Sequence, residues 1–96
     1  MIKVSVLYPN SENLVFDKEY YLDKHVPLVS ELLGEALKNV QVDFGLTNGS
    51  SDESAIYVVI THLTFDSIES FQNIFPIHAE ELLSDIVNFT NCQPQI

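Results

Sequence analysis

The chain contains no arginine, a single cysteine and only three glycines among its 96 residues. Without arginine, and with four lysines against fourteen acidic residues, it carries a formal charge of −10. A phosphate backbone or an anionic bilayer would repel that charge, so neither nucleic acid nor a membrane surface is an expected partner. One cysteine, Cys92, makes no internal disulfide, which leaves the core to hold the fold and suits a reducing compartment such as the cytoplasm. No basic residue neighbours Cys92 in sequence to activate its thiol. Neither a phosphate-cradling glycine loop nor a dinucleotide fingerprint is present, so no nucleotide cofactor is expected. No apolar run approaches the roughly 20 residues of a membrane helix, and the first residues show no export signal. The three histidines, His25, His62 and His78, have no local metal-ligand spacing, and no metal is expected.

Apolar residues make up 46% of the sequence, enough for one core in a single domain spanning 1–96. Ile2, Val4, Val6 and Tyr8 alternate with Lys3, Ser5 and Leu7, which predicts a first strand. Asp17 stands where a helix N-cap belongs, so a helix is expected from about residue 18. Pro27 should break or kink it near His25 and Val26. A second piece carries Leu28, Val29, Leu32, Leu33, Ala36 and Leu37 at helical spacing.

Val40, Val42, Phe44 and Leu46 alternate as a second strand, and the polar stretch Thr47 to Ser54 reads as a hairpin-like connection. Residues 55–64 are apolar at nearly every position and predict a strand buried on both faces. Asp66 and Glu69 resemble a capping box that starts another helix, with Pro76 expected to break it. The tail from Asn91 supports only a short last strand. The halves echo one another at one constant offset, which aligns Phe16 with Phe65, Asp17 with Asp66 and Pro27 with Pro76.

The order β-α-β-β-α-β is that of a ferredoxin-like α+β fold with an antiparallel sheet. Leu7, Tyr57, Val59 and Leu63 are assigned to the sheet face away from the helices. An apolar face of that size calls for a partner, and a two-fold pairing of identical sheets, a homodimer, is the expectation.

Met1 to Asn10, Phe16-Asp17, Tyr20-Tyr21-Leu22 and His25-Val26-Pro27-Leu28-Val29 together resemble the EthD family, named for ethyl tert-butyl ether degradation. His62-Leu63, Phe65-Asp66-Ser67, Pro76 to Glu81 and Asp85 to Thr90 extend the resemblance over most of the chain. It implies a dimeric α+β barrel with a small cavity, and an association with oxidation or catabolism of small organic molecules. Phe75-Pro76-Ile77-His78 departs from the glycine-proline-histidine turn typical of the family.

Tyr21 and His25 lie one helical turn apart, so a phenol and an imidazole share a face and form a candidate acid/base pair. The bland alternative is a packed tyrosine and a histidine that caps the last carbonyls before Pro27. His78, after the second proline, is the third catalytic candidate. Ser5, Asp43, Tyr57, Thr61 and His62 are candidates for substrate contact, joined by Lys3 and Gln41 along mixed faces that suit a cavity wall or, equally, a wet interface. His62 shares parity with Ile56, Val58 and Ile60, which are placed against the helices. Two functions remain open: a cofactor-independent enzyme acting on a small hydrophobic or aromatic metabolite, oxidoreductase- or oxygenase-like or acid/base in type, and a non-catalytic binding or accessory module for an oxygenase system.

Overall fold

The computed structural model describes residues 1–45 and 56–96. The expected connection from Thr47 to Ser54, with Leu46 and Ala55 at its ends, lies outside the described residues. Strand β1 (Ile2–Pro9) pairs antiparallel with β3 (Tyr57–Phe65), which pairs antiparallel on its other side with β2 (Leu37–Phe44). The order β1-β3-β2 puts the most apolar strand in the centre. At the outer edge of β1 the tail adds one bridge, in which Leu7 and Gln95 exchange two backbone hydrogen bonds of 2.7 Å. This is the short last strand, in the place the ferredoxin-like plan gives its fourth.

Asp17 caps the first helical stretch by accepting from the Tyr20 N–H at 3.0 Å. The stretch runs through α1 (Lys18–Tyr20), a π-helical turn (Tyr21–His25) and α2 (Val26–Leu33). The expected interruption before Pro27 takes the form of the π turn: the Val26 N–H donates to Tyr21 O, five residues back. One wide turn sets aside the clash between the proline ring and the preceding turn without ending the helix.

Helix α2 stops at Leu33, not at Leu37, because Gly34 takes φ +54°, a conformation that favours glycine. After a 3-10 turn (Gly34–Ala36), Leu37 opens β2. A Cβ at Gly34 would meet nothing within 4 Å, so any cost of alanine there is backbone strain alone. Gly34→Ala is expected to destabilise by about 1–3 kcal/mol, seen as a lower urea midpoint with unchanged slope; an unshifted midpoint would contradict it.

Helix α3 (Ile68–Ile86) is continuous through Pro76, contrary to the expected break. Proline removes one hydrogen bond, whereas Phe71, Ile74, Phe75 and Leu82, on both sides of it, pack into a single core, and that shared burial keeps the helix in one piece. Its cap is Ser67, whose Oγ accepts from the Ser70 N–H at 3.1 Å, and not Asp66. Asp66 is exposed, with an oxygen 3.6 Å from Lys38 Nζ.

The helices cover the face formed by Ile2, Val4, Val6 and Tyr8 with their partners Phe65, Leu63, Thr61 and Val59. Val59 and Leu63 were expected on the other face, and Thr61 shares their parity. That face carries instead Ser5, Leu7, Ile60 and His62, so His62 and Ile60 do not lie against the helices. Because β3 is apolar at both parities, its face is set by register: Val4 lies opposite Leu63 and Tyr8 opposite Val59.

Candidate functional site

Tyr8, Phe16, Tyr21 and Phe89 form a ring cluster between the sheet and the first helical stretch, with centroids 5.1 to 5.9 Å apart. Phe89 is held there because the Asp17 N–H donates to its carbonyl at 2.7 Å and Thr90 Oγ1 donates to Val15 O at 2.7 Å. The π turn places Tyr21 and His25 beside this cluster. Their rings stack with centroids 5.5 Å apart, and His25 lies 4.7 Å from the Phe89 centroid. Both residues are buried.

His25 Nδ1 lies 2.9 Å from Asp85 Oδ2, on the last turn of α3. The same carboxylate accepts from the Tyr20 hydroxyl at 2.7 Å and from Asn88 Nδ2 at 2.9 Å. Burial works upward on the Asp85 carboxyl, but the hydrogen bonds from Asn88, His25 and Tyr20 outweigh it and hold the group below its ordinary 3.8. Asp85 is therefore ionised at neutral pH and can only accept, so His25 Nδ1 carries the proton and Nε2 keeps its lone pair. Burial lowers His25 below its ordinary 6.5 against the opposing pull of Asp85. The ring is thus neutral at pH 7, with one nitrogen free to take a proton.

The Tyr21 hydroxyl shares a hydrogen bond with Thr61 Oγ1. Burial raises the Tyr21 phenol above its ordinary 10.0, outweighing hydrogen bonds from Thr61 and Tyr8. Burial and the neighbouring Tyr21 raise Tyr8 further still. All these hydroxyls therefore stay protonated. Whichever way the Tyr21–Thr61 bond runs, one of its two O–H groups is left over for a third oxygen.

These groups open onto a cavity of about 50 Å³ between the sheet, the helices and the tail. Val6, Val29, Leu63, Leu82 and Ile86 supply apolar walls, and Tyr8, Tyr21, His25 and Thr61 the polar groups. Mostly apolar walls with a few convergent polar atoms suit a small organic ligand. Among the described residues, no group of three or more histidine, cysteine, aspartate or glutamate side chains could hold a metal ion.

The expected site residues divide across the sheet. Tyr21, His25 and Thr61 meet at the cavity, Thr61 following Val59 and Leu63, whose parity it shares, onto the helix-covered face. On the helix-free side, Ser5 Oγ lies 2.9 Å from His62 Nδ1, and Asp43 Oδ2 lies 3.8 Å from His62 Nε2. The Tyr57 hydroxyl is 3.4 Å from Gln95 Oε1. His78 is half-buried on α3 and does not line the cavity. Asp85, Tyr8 and Phe89 were not singled out as site residues. For Asp85 there was a signal: a carboxylate in the last turn of a helix opposes the macrodipole and calls for another partner.

Residues 16–92 match the family model described as the EthD domain. No curated protein matches the chain. Among solved structures, an EthD-like protein from Ralstonia eutropha JMP134 superposes with a TM-score of 0.91 at 36% identity, covering 97% of this chain and 84% of the other. An ethyl tert-butyl ether degradation (EthD) family protein from Bacillus halodurans C-125 gives a TM-score of 0.62 at 18% identity, covering 98% and 95% respectively. The second likeness is one of fold alone.

Proposed function

The chain belongs to the EthD family, and from that premise we propose that it is a cofactor-independent acid/base enzyme that moves a proton on a small ketone. The observation that carries this is the chain of contacts from Asp85 to His25 at the edge of a cavity that also holds the Tyr21–Thr61 hydroxyl pair. His25 Nε2 takes a proton from the carbon beside the carbonyl. The C–H electron pair moves into the carbon–carbon bond, and the carbonyl π pair moves onto oxygen to give an enolate. The spare O–H of the Tyr21–Thr61 pair donates to that oxygen. Return of the proton from Nε2 to the same carbon exchanges an α-hydrogen; where the ketone is β,γ-unsaturated, the dienolate also carries charge at its γ carbon, and return of the proton there moves the double bond into conjugation, an isomerisation without net oxidation.

The direct test is the exchange of ketone α-hydrogens in deuterated water, followed by proton NMR with cyclohexanone or acetophenone as probe. Protein-dependent exchange that His25→Ala abolishes is the expected result. Exchange that survives the substitution intact would remove His25 from the reaction. Binding of the ketones without exchange would instead support a binding or accessory module.

The working unit in this proposal is a homodimer joined through the helix-free sheet face. Leu7 and Ile60 pair across β1 and β3 on that face, and neither packs into the two core clusters. Sheets of identical subunits pack face to face about a two-fold axis, the commonest symmetry of soluble oligomers. Ile60→Lys is expected to turn a dimer into a monomer by sedimentation. A monomeric parent protein, or a variant that still pairs, would sink the proposal.

A further inference from the structure

Tyr8 and Thr61 stand on adjacent strands of the helix-covered face, where Thr61 lies opposite Val6 and Tyr8 opposite Val59. The π turn brings Tyr21 over both. Its hydroxyl is hydrogen-bonded to Thr61 Oγ1 and to the Tyr8 hydroxyl, and the Tyr8 and Tyr21 rings meet edge-on with centroids 5.7 Å apart. One phenol oxygen from the first helical stretch therefore meets two hydroxyls from the sheet. All three residues are buried, and all three line the cavity.

Three O–H groups joined by two hydrogen bonds leave one O–H over, and its position decides which residue meets the ligand. Tyr21 holds the middle of the row. Only a central hydroxyl can accept from both neighbours while it donates outward, and each accepted bond polarises the donated one. An end hydroxyl, on Tyr8 or Thr61, would donate with support from one neighbour at most. Thr61 is also an alkanol, a weaker acid than a phenol, and burial together with the neighbouring Tyr21 raises Tyr8 further than Tyr21. Tyr21 makes no hydrogen bond to His25 among the described residues, so its O–H and the free His25 Nε2 are both available to one molecule in the cavity.

We infer that Tyr21 is the catalytic donor to the ketone oxygen and that Tyr8 is a positioning residue, which together with Thr61 donates to Tyr21 Oη and turns the Tyr21 O–H toward the ligand. This inference rests on the acid/base proposal for the class of ligand, whereas the direction of the hydrogen bonds can be read without turnover.

The test is difference infrared spectroscopy of cyclohexanone carrying ¹³C at its carbonyl, bound to the full chain, because a hydrogen bond to the carbonyl lowers its stretching frequency. The parent protein should lower the band relative to the ketone in an alkane solvent. Tyr21→Phe should remove most of that displacement and slow α-hydrogen exchange by about 10²–10³-fold. Tyr8→Phe, which keeps the packed ring, and Thr61→Val should each remove part of it and slow exchange by about 2–10-fold. In the Tyr21→Phe background, Tyr8→Phe should change the band no further, as expected of a residue that acts through Tyr21. If His25→Ala leaves exchange intact while this pattern of bands holds, the acid/base proposal falls and the donor assignment stands. A band that the parent protein does not lower would overturn the inference, as would one that Tyr8→Phe leaves unchanged. It is equally overturned if Thr61→Val removes as much of the displacement as Tyr21→Phe, or if the effect of Tyr8→Phe persists without the Tyr21 hydroxyl.

Discussion

Replacing Asp85 with asparagine is expected to lower proton transfer by about 10²–10⁴-fold, close to the loss on removing His25 itself. Asparagine has nearly the same shape, so Tyr20 and Asn88 retain a neighbour. It differs in offering an N–H to His25 Nδ1, which favours the tautomer with the proton on Nε2 and blocks the atom assigned as base. Asp85 acts through His25 and is a positioning residue, so the pH profile is the informative readout. In the parent protein the rate should rise with pH through an apparent pKa below the ordinary 6.5, because burial lowers His25 more than Asp85 raises it. Without the Asp85 charge the rising limb should move to still lower pH while the plateau falls. An unchanged limb in Asp85→Asn would show that the contact with His25 is structural only.

The same shift sets the sign of the pH effect on stability. Folded His25 binds its proton less tightly than the unfolded chain does. The stability contributed by the neutral ring is therefore fully present above about 6.5 and is lost as pH falls through that value toward the lower folded one. Asp85 adds a second loss at lower pH, because its folded pKa lies below 3.8.

Phe65→Ala is expected to cost about 3–5 kcal/mol, a large part of the total stability of roughly 5–15 kcal/mol typical of a domain. Phe65 is 0% exposed. It ends the central strand, where Ile2 and Leu37 flank it on either side. Its ring meets Phe71 of α3 edge-on, with centroids 5.2 Å apart, so truncation leaves a hole between sheet and helix where neither can easily collapse. Urea unfolding monitored by circular dichroism measures the loss. A cost below about 1 kcal/mol would mean that this end of the core is not closed as described.

The sequence by itself determined the order of elements, the first cap and the face of β1, because each depends on neighbours in the chain. Asp17 caps the helix it precedes, and the even residues of β1 are apolar where the odd ones are mixed. Tyr21 and His25 were legible as a pair for the same reason, since one helical turn brings them together.

The two prolines show where local rules end. The chain before Pro27 widens into a π turn, while α3 continues unbroken through Pro76, because packing on both sides of Pro76 outweighs one lost hydrogen bond. The face of β3 was undecidable from its own residues, with apolar side chains at both parities. Pairing with β1 decided it, carrying Thr61 into the cavity and leaving Ser5, His62 and Asp43 on the far side. Asp85, distant in sequence from His25, became its partner only when α3 packed against the first helical stretch. Local spacing fixed which groups were available for chemistry, and long-range packing fixed which of them met, because no pattern along the chain encodes the approach of elements that are far apart in it.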